Sequence, residues 1–247
     1  MKLKYLSFGL IFLGNLLLVL SFSLPAQERQ VNIIKIHDAI TPAVAEFVGR
    51  AIDRSSGDRA QCLIIRLDTP GGLDLSMRDI VKEILNADIP IVVYVAPSGA
   101  RAASAGVFIA LAADIAAMAP GTNIGAAHPV AVGGQQMDRK MREKVVSDAV
   151  AYIQSVAGKK GRNVQWAEEA GRYSVSISDK EALKKNIIDL VVKDLCSLQT
   201  ASAQKKSFSD GRDQVKPPHP SPLPRKRGRG RGGGLEKQIL TQSSYLV

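Results

Sequence analysis

The sequence is poor in the residues that build metal and redox centres. It has two cysteines, Cys62 and Cys196, in 247 residues. One widely separated pair is neither a metal-ligand nor a redox spacing. Cys62 also falls inside an apolar run, where a small core residue is expected. Histidine occurs three times, as His37, His128 and His219, so no Cys/His cluster can be assembled and no metal is expected. There is no phosphate-binding glycine loop ending in Lys-Ser or Lys-Thr, so no nucleotide or other cofactor is implied. Aromatic residues are 5% of the chain against 45% hydrophobic residues, so the core must be built from Ala, Val, Ile and Leu.

Acidic residues are scarce at the C-terminal end. Residues 201–247 carry ten Lys/Arg against three Asp/Glu, so seven of the ten net positive charges lie there. The run from Lys216 to Pro224 is too proline-rich for helix or sheet, and Arg225–Gly234 is basic and glycine-rich without aromatics. Such a tail could bind RNA or lipid. A solvated charge run with no partner is the reading preferred here, so no nucleic acid is expected. At the other end, Lys2 and Lys4, the apolar Leu10–Phe22 stretch and the small residue Ala26 read as a secretory signal. An uncleaved membrane anchor is the alternative. Three segments follow: a signal over 1–26, a folded domain over 27–198 and a Pro/Arg/Gly-rich tail over 199–247. The body is expected to be exported, to a periplasmic or membrane-associated location.

Within 27–198 the periodicity alternates between strand and helix. Strands are expected at Val31–Ile36, Cys62–Leu67, Ile91–Val95, Asp114–Ala119 and Ile187–Val192. Helices are expected from Thr41-Pro42 to about Arg54, and over 75–86, 105–113, 141–157 and 165–171, with a last one opening at a Ser178/Glu181 capping box. Strand–helix–strand order implies an α/β fold with parallel strands. Residues 130–139, polar and glycine-containing, are expected to form a mobile loop over the site.

The chain is organised around Pro90–Pro129. There the 91–95 strand runs into small residues, then Ser104, then an apolar helix. A serine between a strand and a helix N-terminus is well placed for nucleophilic attack, although capping serines are commoner than catalytic ones. Asp68-Thr69-Pro70-Gly71-Gly72 ends the preceding strand, and its glycines can present backbone N–H groups to an oxyanion. A serine nucleophile needs a base. His37 follows the first strand and His219 lies in the tail. His128 is a candidate, 24 positions after Ser104. Lys144 stands among Arg139, Lys140 and Arg142, and from spacing alone reads as part of a solvated basic face.

Three ordered segments, Leu67–Gly72, Ala102–Gly106 and Met118–Pro129, resemble the NfeD family of membrane-associated serine proteases in the ClpP/crotonase superfamily. The likeness runs from about Val31 to Lys193. It implies a ClpP/crotonase-like α/β fold of repeated β-β-α units. It also implies a Ser–Lys dyad of Ser104 and Lys144, the latter seven residues before Ala151-Tyr152-Ile153. His128 remains the alternative base. The oxyanion donors would be Gly71 or Gly72 together with Ala105. The resemblance further implies apolar peptide substrates from a stomatin-like membrane protein, and a homodimer or larger assembly. Long family members continue into transmembrane helices and a small β-barrel domain. This sequence is expected to be a shortened member, with the basic tail in their place. A catalytically idle module that docks a stomatin-like partner and a crotonase-like acyl-transfer enzyme are the alternative readings.

Overall fold

The computed structural model describes residues 30–131 and 138–198, and the backbone of 245–246. Strand β1 (Val31–Ile36) leads into helix α1 (Pro42–Gly57), whose N-terminus is capped by the Thr41 side chain accepting from the Val44 N–H. Strand β2 (Cys62–Leu67), helix α2 (Asp74–Leu85), strand β3 (Ile91–Val95), strand β4 (Arg101–Ala103), helix α3 (Ala105–Ala112) and strand β5 (Ile115–Met118) follow. Beyond them come β6 (Asn123–Gly125), β7 (Val130–Ala131), α4 (Arg139–Lys159), α5 (Val164–Tyr173), β8 (Ser176–Ser178), α6 (Asp179–Lys184) and β9 (Leu190–Val191). A two-residue strand, β10 (Tyr245–Leu246), pairs antiparallel with β7.

Five strands form one parallel sheet in the order β1-β2-β3-β5-β9. Parallel sheets are covered on both faces, and their central strands read as unbroken apolar runs. Accordingly every residue of β3 and β5 is buried. On one face Leu63, Ile65, Leu67 and Val93 pack under α1, α2 and α3. On the other, Ile64, Val92, Tyr94 and Ala117 pack against Leu190, Val192, Leu195 and Leu198. All eight residues of α3 are buried, which explains why that helix is apolar all round. The capping box at Ser178 and Glu181 is present and opens α6.

Two expectations are corrected. The Ile187–Val192 strand shrinks to Leu190–Val191. Residues 187–189 are instead engaged by a buried arginine. Arg162 donates to the carbonyls of Leu111 (3.2 Å), Ala113 (3.0 Å) and Ile187 (3.1 Å), and to the Asp189 carboxylate (2.9 Å). It thereby satisfies carbonyls at the C-terminal end of α3, where a cation is favoured. The second correction is a small sheet, β4-β6-β8, parallel between β4 and β6 and antiparallel between β6 and β8. Each of its strands has three residues, too few for a period-two signal in sequence.

Replacing Arg162 by methionine removes the cation paired with Asp189, which keeps its bond from the Ala116 N–H, and takes a donor from three carbonyls. The expected loss is about 3–5 kcal/mol of unfolding free energy, read from urea unfolding monitored by circular dichroism. A change below about 1 kcal/mol would show that water replaces the guanidinium.

Candidate active site

The two loops singled out by sequence are held together by a buried threonine. Thr69 is fully buried. Its Oγ1 donates to the Asp38 carbonyl (2.8 Å) and accepts from the Gly71 N–H (3.1 Å). Its backbone bridges to β4: Thr69 N–H donates to Arg101 O (2.8 Å), and Ala103 N–H donates to Thr69 O (3.1 Å). Asp68 adds a third tie by accepting from the Arg101 N–H at 3.1 Å, while His37 Nδ1 lies 2.9 Å from its other oxygen. The loop that ends β2 is thus fastened to the strand that delivers Ser104.

The glycines are required by close approach. Ile40 N–H donates to Gly71 O (2.8 Å), and Leu73 N–H donates to Ile40 O (2.9 Å). A Cβ on Gly72 would stand 2.2 Å from the Ile40 carbonyl oxygen, and Gly71 has φ 118°. The Gly71 N–H is already taken by Thr69. Among the described residues the Gly72 N–H has no acceptor, so of the two candidate oxyanion donors Gly72 is the available one. Ala105 is the first residue of α3, where the N–H has no intrahelical partner.

Ser104 occupies the N-cap position but does not cap. Its backbone lies at φ 54°, ψ −113°, and its side chain makes no capping hydrogen bond. A non-glycine residue in the left-handed region costs of order 1–3 kcal/mol and marks functional sites. The conformation is over-determined by its neighbours. Ser104 N–H donates to Gly125 O (3.3 Å), and a Cβ on Gly125 would meet the Val175 carbonyl oxygen at 2.3 Å. Gly106, on the first turn of α3, sits against Thr69. A Cβ there would lie 2.7 Å from Thr69 Cγ2 and 3.3 Å from Ala102 Cβ. Half-buried Ser104 thus lies between two residues, Ala103 and Gly106, that both meet Thr69 of the glycine loop.

The two candidate bases lie on other elements. Lys144 is exposed on α4. It lines a cleft of about 230 Å³ with Asp74, Arg78, Pro129, Met141 and Asp148. His128 is half-buried, with Nδ1 3.2 Å from the Gly171 carbonyl oxygen. Among the described residues no hydrogen bond joins either base to Ser104. Helix α4 is docked by Tyr152, whose ring stacks on Phe108 (centroids 5.9 Å apart, 24° between planes) and lies 4.3 Å below the Arg78 guanidinium carbon. Burial pushes the Tyr152 phenol above its ordinary pKa, against the pull of Arg78. Burial opposes the Arg78 charge, yet Asp74, Asp148 and Tyr152 together outweigh it and hold that guanidinium above its usual value. Sequence reasoning passed over both Thr69 and Arg78. Thr69 lies inside a quoted motif and could have been found there; Arg78 sits on an ordinary amphipathic helix and carries no such signal. Among the described residues no group of three or more His, Cys, Asp or Glu side chains could hold a metal ion. The expected mobile loop over 130–139 falls mostly on residues outside those described, as do the leader over 1–26 and nearly all of the tail.

Alanine at Gly106 tests the fastening. Helix propensity favours alanine by about 0.8–1.0 kcal/mol, whereas forcing a methyl into a filled core costs about 1–3 kcal/mol. The collision with Thr69 Cγ2 should dominate, so Gly106→Ala is expected to lower the melting temperature. In a Thr69→Ser background, which removes Cγ2 and keeps the hydroxyl, the same change should become neutral or stabilising. Additive effects in this double-mutant cycle would contradict the contact.

Residues 30–215 match the family described as NfeD1b, N-terminal domain. The chain is 37% identical over 200 residues to the membrane-bound protease PH1510 of Pyrococcus horikoshii, a match covering 80% of this chain and 45% of that protein. It is 30% identical over 201 residues to the membrane protein NfeD1b of Bacillus subtilis, covering 81% of this chain and 42% of that one. The chain thus spans a little under half the length of these curated relatives. Among solved structures it is similar to the 1510-N membrane-bound stomatin-specific protease. A lysine-to-alanine variant of that protein, bound to a substrate peptide, matches at TM-score 0.66 and 37% identity, over 70% of this chain and 80% of that one. A serine-to-alanine variant matches at TM-score 0.65 and 38% identity, over 70% and 84%. ClpP1 from Listeria monocytogenes, at 19% identity and TM-score 0.55 over 67% of this chain and 94% of that one, shares the fold. With the parallel sheet, the glycine loop and the serine in place, the chain belongs to the NfeD1b N-terminal domain family and has the ClpP-like α/β fold.

Proposed function

We propose that this chain is a serine endopeptidase domain in which Ser104 is the nucleophile and Lys144 the general base. The observation that carries the reading is Ser104 itself, held at positive φ with no capping bond, in a chain whose Gly72 N–H has no acceptor among the described residues. A structural cap would use its hydroxyl on its own helix; this one does not. Ser104 Oγ attacks the peptide carbonyl carbon as the Lys144 amine takes the hydroxyl proton. The oxyanion is received by the N–H groups of Gly72 and Ala105. The amine then returns the proton to the leaving nitrogen as the C–N bond breaks, and water hydrolyses the acyl-enzyme.

The geometry of α4 supports Lys144. Lys144, Asp148 and Tyr152 recur every four residues and share one face. Tyr152 stacks on Phe108, one turn after Ser104. Lys144 lies ~12 Å back along α4 from Tyr152, and Ser104 ~6 Å back along α3 from Phe108. In the 1510-N variants the altered serine and lysine are one position further apart than Ser104 and Lys144. Lys144 is exposed in the free chain, so bound peptide must displace its water before the amine is a useful base.

By analogy with that relative, named as stomatin-specific, the substrate is a segment of a stomatin-like membrane protein; an apolar segment and a homodimer or larger assembly are what the family resemblance adds. Among the described residues no helix is long and apolar enough to cross a membrane. Membrane association and export are proposed from the relatives' names and from the leader at 1–26. An idle docking module is disfavoured by the strain at Ser104, which binding alone does not need. A crotonase-like acyl transferase is disfavoured by the presence of a nucleophile.

Hydrolysis of fluorogenic apolar peptides decides the assignment. Ser104→Ala should abolish turnover. Lys144→Ala should lower kcat by about 10²–10⁴-fold, while His128→Ala should retain most of it. Full turnover by Lys144→Ala together with a dead His128→Ala would transfer the base role to the imidazole.

A further inference from the structure

We propose that Arg78 is a positioning residue that holds helix α4, and with it Lys144, in register with the Gly71–Gly72 loop. The proposal rests on the protease reading above. One side chain makes all of the relevant contacts. Arg78 Nε donates to Asp74 Oδ2 at 2.8 Å, and its terminal nitrogen donates to Asp148 Oδ2 at 2.5 Å. Its guanidinium carbon stands 4.3 Å from the Tyr152 ring centroid.

Each partner belongs to a different part of the site. Asp74 opens α2 two positions after Gly72, the oxyanion donor. Asp148 lies one turn beyond Lys144 on α4. Tyr152 stacks on Phe108, one turn beyond Ser104. Ion pairs near the surface add little to stability, and Asp148 is 70% exposed. The arrangement is therefore poorly explained as a stabilising device. A planar guanidinium that donates in two directions and stacks on a ring fixes orientation as well as distance, which a lysine cannot do. The charged groups around the cleft are Asp74 and Arg78 from α2, Lys144 and Asp148 from α4, and the Tyr152 phenol beneath Arg78. Arg78 is the cation that α2 places in the cleft lined by Lys144, and removing a like charge from beside an amine strengthens its hold on a proton.

The test is the pH dependence of kcat/KM for a fluorogenic peptide, using the full chain, with serine labelling by a fluorophosphonate as the check on an intact nucleophile. Arg78→Met should lower kcat/KM near neutral pH by about 10²-fold and move the acid limb upward by on the order of one pH unit. Asp148→Asn should move the same limb downward, because it removes a carboxylate one turn from the amine. Arg78→Lys keeps the charge and loses the fork, so the limb should stay while kcat falls. If Arg78→Met fails to fold, the opposed behaviour of Asp148→Asn and Arg78→Lys carries the test. A folded Arg78→Met protein with a wild-type profile, or one with a lowered rate and an unmoved limb, would overturn the proposal. If the unaltered protein neither cleaves peptide nor labels at Ser104, the protease reading falls first and this assignment with it.

Discussion

The site depends on one van der Waals contact, that between the Thr69 methyl and the bare Cα of Gly106. With no side chain at Gly106, the first turn of α3 can lie directly against the loop that ends β2. Thr69 then fixes the loop from inside: its hydroxyl ties Asp38 to Gly71, and its backbone bridges to β4. Gly72 repeats the device on the other side, where its missing Cβ admits the Ile40 carbonyl. Two absences of a side chain thus bring a backbone donor and a serine from different strand ends to one place. Oxyanion stabilisation depends on donors fixed in advance, and on the proposed protease reading this packing is what would fix them.

Around that fixed pair the structure is less constrained. Ser104 is held by strain and by the Gly125 carbonyl, whereas Lys144, the proposed base, is exposed on a helix docked through Tyr152 and Arg78. The two meet at Arg78, which belongs to the helix that follows the glycine loop and bonds Asp148 of α4.

Much of the fold was legible because its signals were strong. The β-branched runs at 62–67 and 91–95 read as buried strands and the alternation at 31–36 as a strand, and the Ser178/Glu181 pair announced its helix. The small β4-β6-β8 sheet was not legible, because three-residue strands rich in Ala, Gly and Ser have no period to detect. The final strand was over-read because the Arg162 side chain competes for its backbone, and no local pattern reports a partner 25 positions away. For the site, Ser104 and the Gly71–Gly72 loop could be found from strand-end chemistry. The choice between those glycines could not, since it turns on which N–H the Thr69 hydroxyl already holds. Lys144 came from family resemblance alone; among four nearby basic residues, spacing gave no reason to prefer it.

The most direct test of the central claim is to trap the acyl-enzyme analogue. The full chain is treated with a peptidyl phosphonate carrying an apolar side chain and digested, and the adduct is located by mass spectrometry. The account predicts one modified residue, Ser104, with labelling lost in Ser104→Ala. An unmodified Ser104 in folded protein, or an adduct on another serine, would contradict it.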